Sequence, residues 1–129
     1  TSILLVIRSI MTKEPLSHEP GLDERHRDFY KYQEIVRYKN IQLATLDVFN
    51  NAYYKNEFGD LFDIAKTDFM ENLEIKKEII DKSIKTWIES KVEANDRQVV
   101  YTSIYSMAIQ IDYQPLSDML LETAKQLAK

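Results

Sequence analysis

The chain has 129 residues and 15.2 kDa, room for one domain around a single core, and its 44% hydrophobic and 29% charged residues suit a folded protein and not a disordered tail. A net charge of -4 and a pI near 5.2 argue against nucleic acid as partner, because displacing phosphate counterions takes a surplus of lysine and arginine. With no cysteine, these residues hold no disulfide, no thiolate nucleophile and no cysteine-ligated zinc site.

Apolar residues recur at three- and four-residue spacing, and only two glycines and three prolines interrupt them. The class read from this pattern is all-α. A first helix is expected from Ser2 to Met11, apolar on most faces and therefore buried against a larger partner. Its run "ILLVI" at residues 3 to 7 is too short to span a bilayer and has neither the basic flank nor the cleavage site of a signal peptide, so no membrane partner is expected. The chain opens on Thr1 directly before this run, and a piece of a longer protein is the expectation.

The loop "EPLSHEPGLDE" follows, where Pro15 and Pro20 bias the preceding residues toward extended backbone and Gly21 can take a positive φ. A long helix is expected from Asp28 to Tyr53, with Ile41, Ala44 and Val48 on one stripe and Leu43, Leu46, Phe49 and Tyr53 on the next. Another, from Glu57 to Met70, places Phe58, Leu61, Phe62, Ala65 and Phe69 on one side. In "NLEIKKEIIDKSIKTWIESKV" the inward residues are Ile80, Ile84, Trp87 and Ile88, while Glu78–Lys82 and Asp81–Lys85 are i,i+4 pairs on a solvated face. Asn95 or Asp96 is read as the cap of a helix to about Ile111, with Val100, Ile104, Met107 and Ile111 inward. Beyond Pro115, Ser117 caps the last helix, with Leu116 and Leu121 as its hydrophobic staple.

Motifs with chemistry are few. His18 and His26 flank three acids, but their spacing fits neither the i,i+4 pair of a helical zinc motif nor a short turn, and two solvated imidazoles are the better reading. "ERHRDFYKYQEIVRYK" mixes basic and aromatic residues as single-strand binders do, yet Glu24, Asp28 and Glu34 dilute its charge. There is no GxGxxG, P-loop, HExxH or Gly-x-Ser-x-Gly element, and no cofactor is expected.

Read as one stretch, "TSILLVIRSIMTKEPLSHEPGLDERHRDFYKYQEIVRYKNIQLATLD" resembles the C-terminal half of the ubiquitin-conjugating (E2, UBC) fold, from the helix after the active-site cysteine onward. Leu4, Leu5, Val6, Ile7, Ser9 and Ile10 stand where that family has "LLSIxSLL". Glu14-Pro15 and Glu19-Pro20-Gly21 follow, a form most like the large BRUCE/Apollon and E2-O proteins with their "EPYFNEPG" loops. Glu57-Phe58, Phe69 and Trp87-Ile88 continue the likeness more weakly.

The resemblance implies a single helical unit over residues 1–129, with 1–53 completing a UBC domain and 54–129 adding C-terminal helices. It is the helical part of an α+β fold whose sheet lies upstream. It further implies ubiquitin carried as a cysteine thioester, on a cysteine outside this chain, and transferred to lysine, with ubiquitin, E1 and E3 proteins as partners in the cytoplasm or nucleus. Glu19 then corresponds to the family's acidic loop residue, usually Asp or Ser, which helps orient and deprotonate the attacking lysine. Leu5 and Ser9 correspond to the helix face that meets donor ubiquitin. Two other readings stay open: a non-catalytic helical interaction module, and an inactive UBC variant.

Overall fold

A computed structural model describes residues 2–10, 15–90 and 98–129, with the side chains of 8–10, 15 and 16 left aside. Among the described residues the chain is mostly helical, with a small two-stranded sheet. It divides into two compact units, Thr1–Val36 with Val92–Gln110, and Arg37–Lys91 with Ile111–Lys129.

In the first unit, α1 (Ser2–Ile10) matches the expected helix, but its apolar side chains from Ile3 to Ile7 are exposed and not buried as their character suggests. A short 3-10 turn, Pro15–His18, leads to a turn closed by the Leu22 N–H donating to the Glu19 carbonyl at 3.1 Å. Gly21 takes φ 77° within it, a conformation in which a Cβ would strain the backbone. Helix α2 (Phe29–Lys39) follows.

Strands β1 (Val99–Thr102) and β2 (Met107–Gln110) pair antiparallel, with Val100 opposite Ile109 and Thr102 opposite Met107. This hairpin replaces the helix expected through Ile111. Val99, Val100 and Thr102 are β-branched and Tyr101 aromatic, residues that suit a pleated, half-buried surface, and the alternation buries Val100 and Thr102 while exposing Tyr101. Val100 and Ile104 are both buried, but by strand alternation and a turn, which mimic a helical spacing of four. Asn95 and Asp96, the expected caps, lie outside the described residues. Phe29 and Ile104 form the unit's apolar centre, with Leu22 and Tyr32 packed on it.

In the second unit the chain runs as a π-helix over Asn40–Asp47, then as the short α3 (Val48–Asn50). Helical backbone stops at Asn51, whose φ of -111° and ψ of 113° are extended, so the expected helix to Tyr53 ends early. The Asn51 side chain instead caps α4 (Ala52–Phe58) by accepting the Tyr53 N–H at 3.0 Å. Gly59, at φ 47°, separates α4 from α5 (Asp60–Glu71), splitting what spacing alone reads as one helix. Helix α6 (Leu73–Glu89) buries Ile80 and Ser83, leaves Ile84 and Trp87 half-buried and exposes Ile88.

Helix α7 (Gln114–Leu127) begins ahead of Pro115, which sits in the first turn, where its missing N–H costs nothing. Ser117 is therefore inside the helix and not its cap, and Leu121 is exposed while Leu116 and Leu120 are buried. The core of this unit gathers Leu46, Phe69, Ile80, Ile111, Leu116 and Leu120, each worth about 1.5–3 kcal/mol of transfer free energy when fully buried. Phe49 packs its ring on Phe62 and Phe69, and Asn50 bridges to Thr123 at 2.9 Å.

Candidate functional site

The site is built on the loop between α1 and α2 and on the turn of the hairpin, all within the first unit. Glu19 is exposed at the start of the turn that Gly21 completes. The Tyr105 phenol lies near enough to feel its charge. The negative charge of Glu19 raises the Tyr105 phenol above its ordinary value, since ionising it would set two anions side by side. The Tyr105 ring also lies against Tyr32, with centroids 5.8 Å apart.

Tyr105 stands on a strained turn. Tyr105 and the next residue, Ser106, have φ of 56° and 50°, left-handed backbone that a bulky side chain rarely adopts. Asp28 holds the start of that turn. Its carboxylate, 4% exposed, accepts the Ser103 N–H at 2.7 Å and the Ser103 hydroxyl as well. The Ser103 hydroxyl, more than any other group, keeps the Asp28 carboxyl below the usual range, with burial opposing it. Thr102 adds a bond from its hydroxyl to the Ile104 carbonyl at 2.8 Å.

Between Glu19 and Asp28 the loop is tied by its own polar groups. Asp23 accepts the Arg25 N–H at 2.9 Å and pairs with its guanidinium at 2.6 Å, which lowers its carboxyl to about 2. The Asp28 N–H donates to His26 Nδ1 at 3.1 Å, so that nitrogen is an acceptor here. Among the described residues no group of three or more His, Asp or Glu side chains is placed to hold a metal ion. No helix among them is long and apolar enough to cross a membrane.

The other expected site residues stand on α1. Leu5 is 60% exposed; Ser9 lies four residues on in the same helix, and its side chain is outside the described residues, as is Glu14 of the first Glu-Pro pair. Tyr105 and Asp28 carry no motif. The one local hint is the run of β-branched and aromatic residues "VVYT", which signals a hairpin near the loop's own chemistry.

Part of the chain is similar to ubiquitin-conjugating enzymes. Over 50 residues, 37% of this chain, it is 40% identical to ubiquitin-conjugating enzyme E2 Z of Homo sapiens and equally to that of Rattus norvegicus. The matched stretch spans 14% of each relative's length. The narrower likeness to BRUCE/Apollon and E2-O has no support in these relatives. No family model matches the chain, and no solved structure matches it.

Proposed function

We propose that this chain is a portion of a ubiquitin-conjugating enzyme that carries ubiquitin as a cysteine thioester, on a cysteine outside these residues, and transfers it to lysine. Its partners on this reading are ubiquitin, an E1 and E3 proteins, in the cytoplasm or nucleus. The observation that carries the proposal is the 40% identity over 50 residues to E2 Z, joined to a braced loop that presents an exposed carboxylate.

In the transfer, the lysine amine attacks the thioester carbonyl carbon, the C–N bond forms, the C–S bond breaks and the sulfur leaves as thiolate. The amine must first give up a proton. A carboxylate on a rigid turn is suited to orient the ammonium and to take that proton or relay it to water. Glu19 fills that role in the proposal, and Leu5 and Ser9 present the α1 surface to donor ubiquitin. The exposure of Leu5 supports its part, as a solvated apolar residue on a helix otherwise rich in exposed apolar groups.

The test uses the full-length parent protein with E1, ATP and ubiquitin, followed on non-reducing gels. A thioester forms, and Glu19→Ala loads normally but discharges to free lysine about tenfold more slowly. No thioester would favour the inactive-variant or interaction-module reading. Loading with unchanged discharge would remove the role of Glu19 alone.

A further inference from the structure

We infer that the cleft between the end of the π-helix and the start of α4 binds the guanidinium of an arginine side chain presented by a partner polypeptide. The residues lining it all belong to the second unit, and the inference stands apart from the proposed role of Glu19.

Two breaks in regular backbone make the cleft. From Asn40 to Asp47 the helix closes i to i+5, a rare winding found frequently at functional sites, and at Asn51 the chain turns extended before α4 begins. Ile41 and Leu46 of the π-helix are buried, while Leu43 is left exposed. Leu43 and Asp47 line, with Asn50, Asn51, Ala52 and Tyr54, a cleft of about 480 Å³. That falls within the ~300–1,000 Å³ usual for ligand sites, and apolar walls with a few convergent polar groups are the usual lining of such sites.

The free polar groups define what the cleft takes. The half-buried Asp47 carboxylate has no hydrogen-bond or ion-pair partner among the described residues; its backbone carbonyl, not its side chain, accepts the Asn51 N–H at 3.0 Å. The Asn50 amide nitrogen donates to the Leu46 carbonyl and to the Thr123 hydroxyl, both at 2.9 Å, which leaves its Oδ1 as an acceptor. The Asn51 Oδ1 is held by the Tyr53 N–H at 3.0 Å, so that side chain offers only its amide nitrogen. A half-buried anion beside a spare acceptor calls for a cation with several N–H donors.

The aromatic side favours a guanidinium over an ammonium. The Tyr54 ring lies parallel to Phe58 with centroids 5.7 Å apart, and Tyr53 meets it edge-on at 5.5 Å, so neighbours on both sides hold its orientation. A planar guanidinium stacks on such a ring while its N–H fork meets a carboxylate, whereas an ammonium is a compact and strongly hydrated charge. Leu43 and Ala52 offer apolar surface to the methylene stem of arginine. Tyr53 and Phe58, ring neighbours of Tyr54, are 60% and 46% exposed and offer contact to residues flanking the arginine, which argues for a polypeptide over a free guanidine. The net charge of -4 favours the approach of a basic partner.

The test is the fluorescence anisotropy of a labelled, capped peptide, Gly-Leu-Arg-Leu-Gly, titrated with the full-length parent protein. The arginine peptide binds, and putting citrulline, its neutral isostere, in place of arginine weakens binding about tenfold. Lysine in that place also binds more weakly. Asp47→Asn loses about tenfold in affinity at an unchanged thermal midpoint, since its side chain makes no bond to the rest of the protein. Leu43→Lys, at an exposed position, sets a cation into the cleft and weakens binding without touching the carboxylate. Free agmatine competes only at far higher concentration than the peptide. No binding of the arginine peptide, equal binding of the citrulline peptide, or wild-type affinity in Asp47→Asn would overturn the inference. Equal binding of the lysine peptide would overturn the choice of guanidinium, and agmatine competing as well as the peptide would overturn the polypeptide partner.

Discussion

At the scale of single residues, short polar ties decide the shape of the loop. The Asp23–Arg25 pair is exposed, and solvent screening leaves it little influence on stability, but it sets a readable titration. Asp23 titrates at about 2 in the wild type because the Arg25 guanidinium and N–H favour its charged form; Arg25→Ala should return it toward 3.8, measured by carboxyl NMR. An unmoved Asp23 would mean the pair is not formed in solution. The turn at Glu19 was legible at this scale because prolines and a glycine in one short stretch announce a bend. The bond between Asp28 and Ser103 was not, since it joins segments far apart in the chain and no local pattern encodes it.

At the scale of elements, the departures from the sequence reading share one cause: spacing reports a face but not the backbone that carries it. From Asn40 to Asp47 the helix closes i to i+5, not i to i+4, so the face advances differently along the chain. Ile41 and Leu46, five apart, are both buried, whereas Leu43, grouped with Leu46 by a 3.6-residue period, is 51% exposed. Aromatic and aliphatic spacing located Phe62 and Phe69 correctly, yet could not foresee that Gly59 divides their helix from the preceding one. Asn51 marks a similar break by capping α4. Replacing it with alanine should cost about 1 kcal/mol, seen as a lower thermal midpoint, while Asn51→Asp keeps the acceptor and most of that stability. Equal losses in both variants would show that the cap bond is not what matters.

At the scale of the whole molecule, the mostly helical class was legible because apolar spacing persists nearly end to end. The hairpin escaped it, since a four-residue strand has too few positions to outweigh a coincident helical spacing. Acid unfolding is the property that the molecule expresses as a whole and that Asp28 should govern. Its folded pKa is depressed, so its contribution is fully present above the unfolded value of about 3.9 and is lost as the pH falls through the folded value. Asp28→Asn should therefore be less stable at neutral pH by about 1.5–3 kcal/mol, the range for hydrogen bonds to a charged group, and lose less on acidification. Denaturant midpoints of the two proteins should draw together as the pH falls below about 3.9; parallel curves would exclude Asp28 as the source.

The clasp between Asp28 and Ser103 closes over 75 positions of chain. During synthesis the acidic loop leaves the ribosome long before the turn that steadies it has been made. A product truncated ahead of Ser103 would carry every recognisable loop motif and still leave the Asp28 carboxylate without the N–H and hydroxyl that hold it, so the loop's anchor arrives only with the late-emerging hairpin.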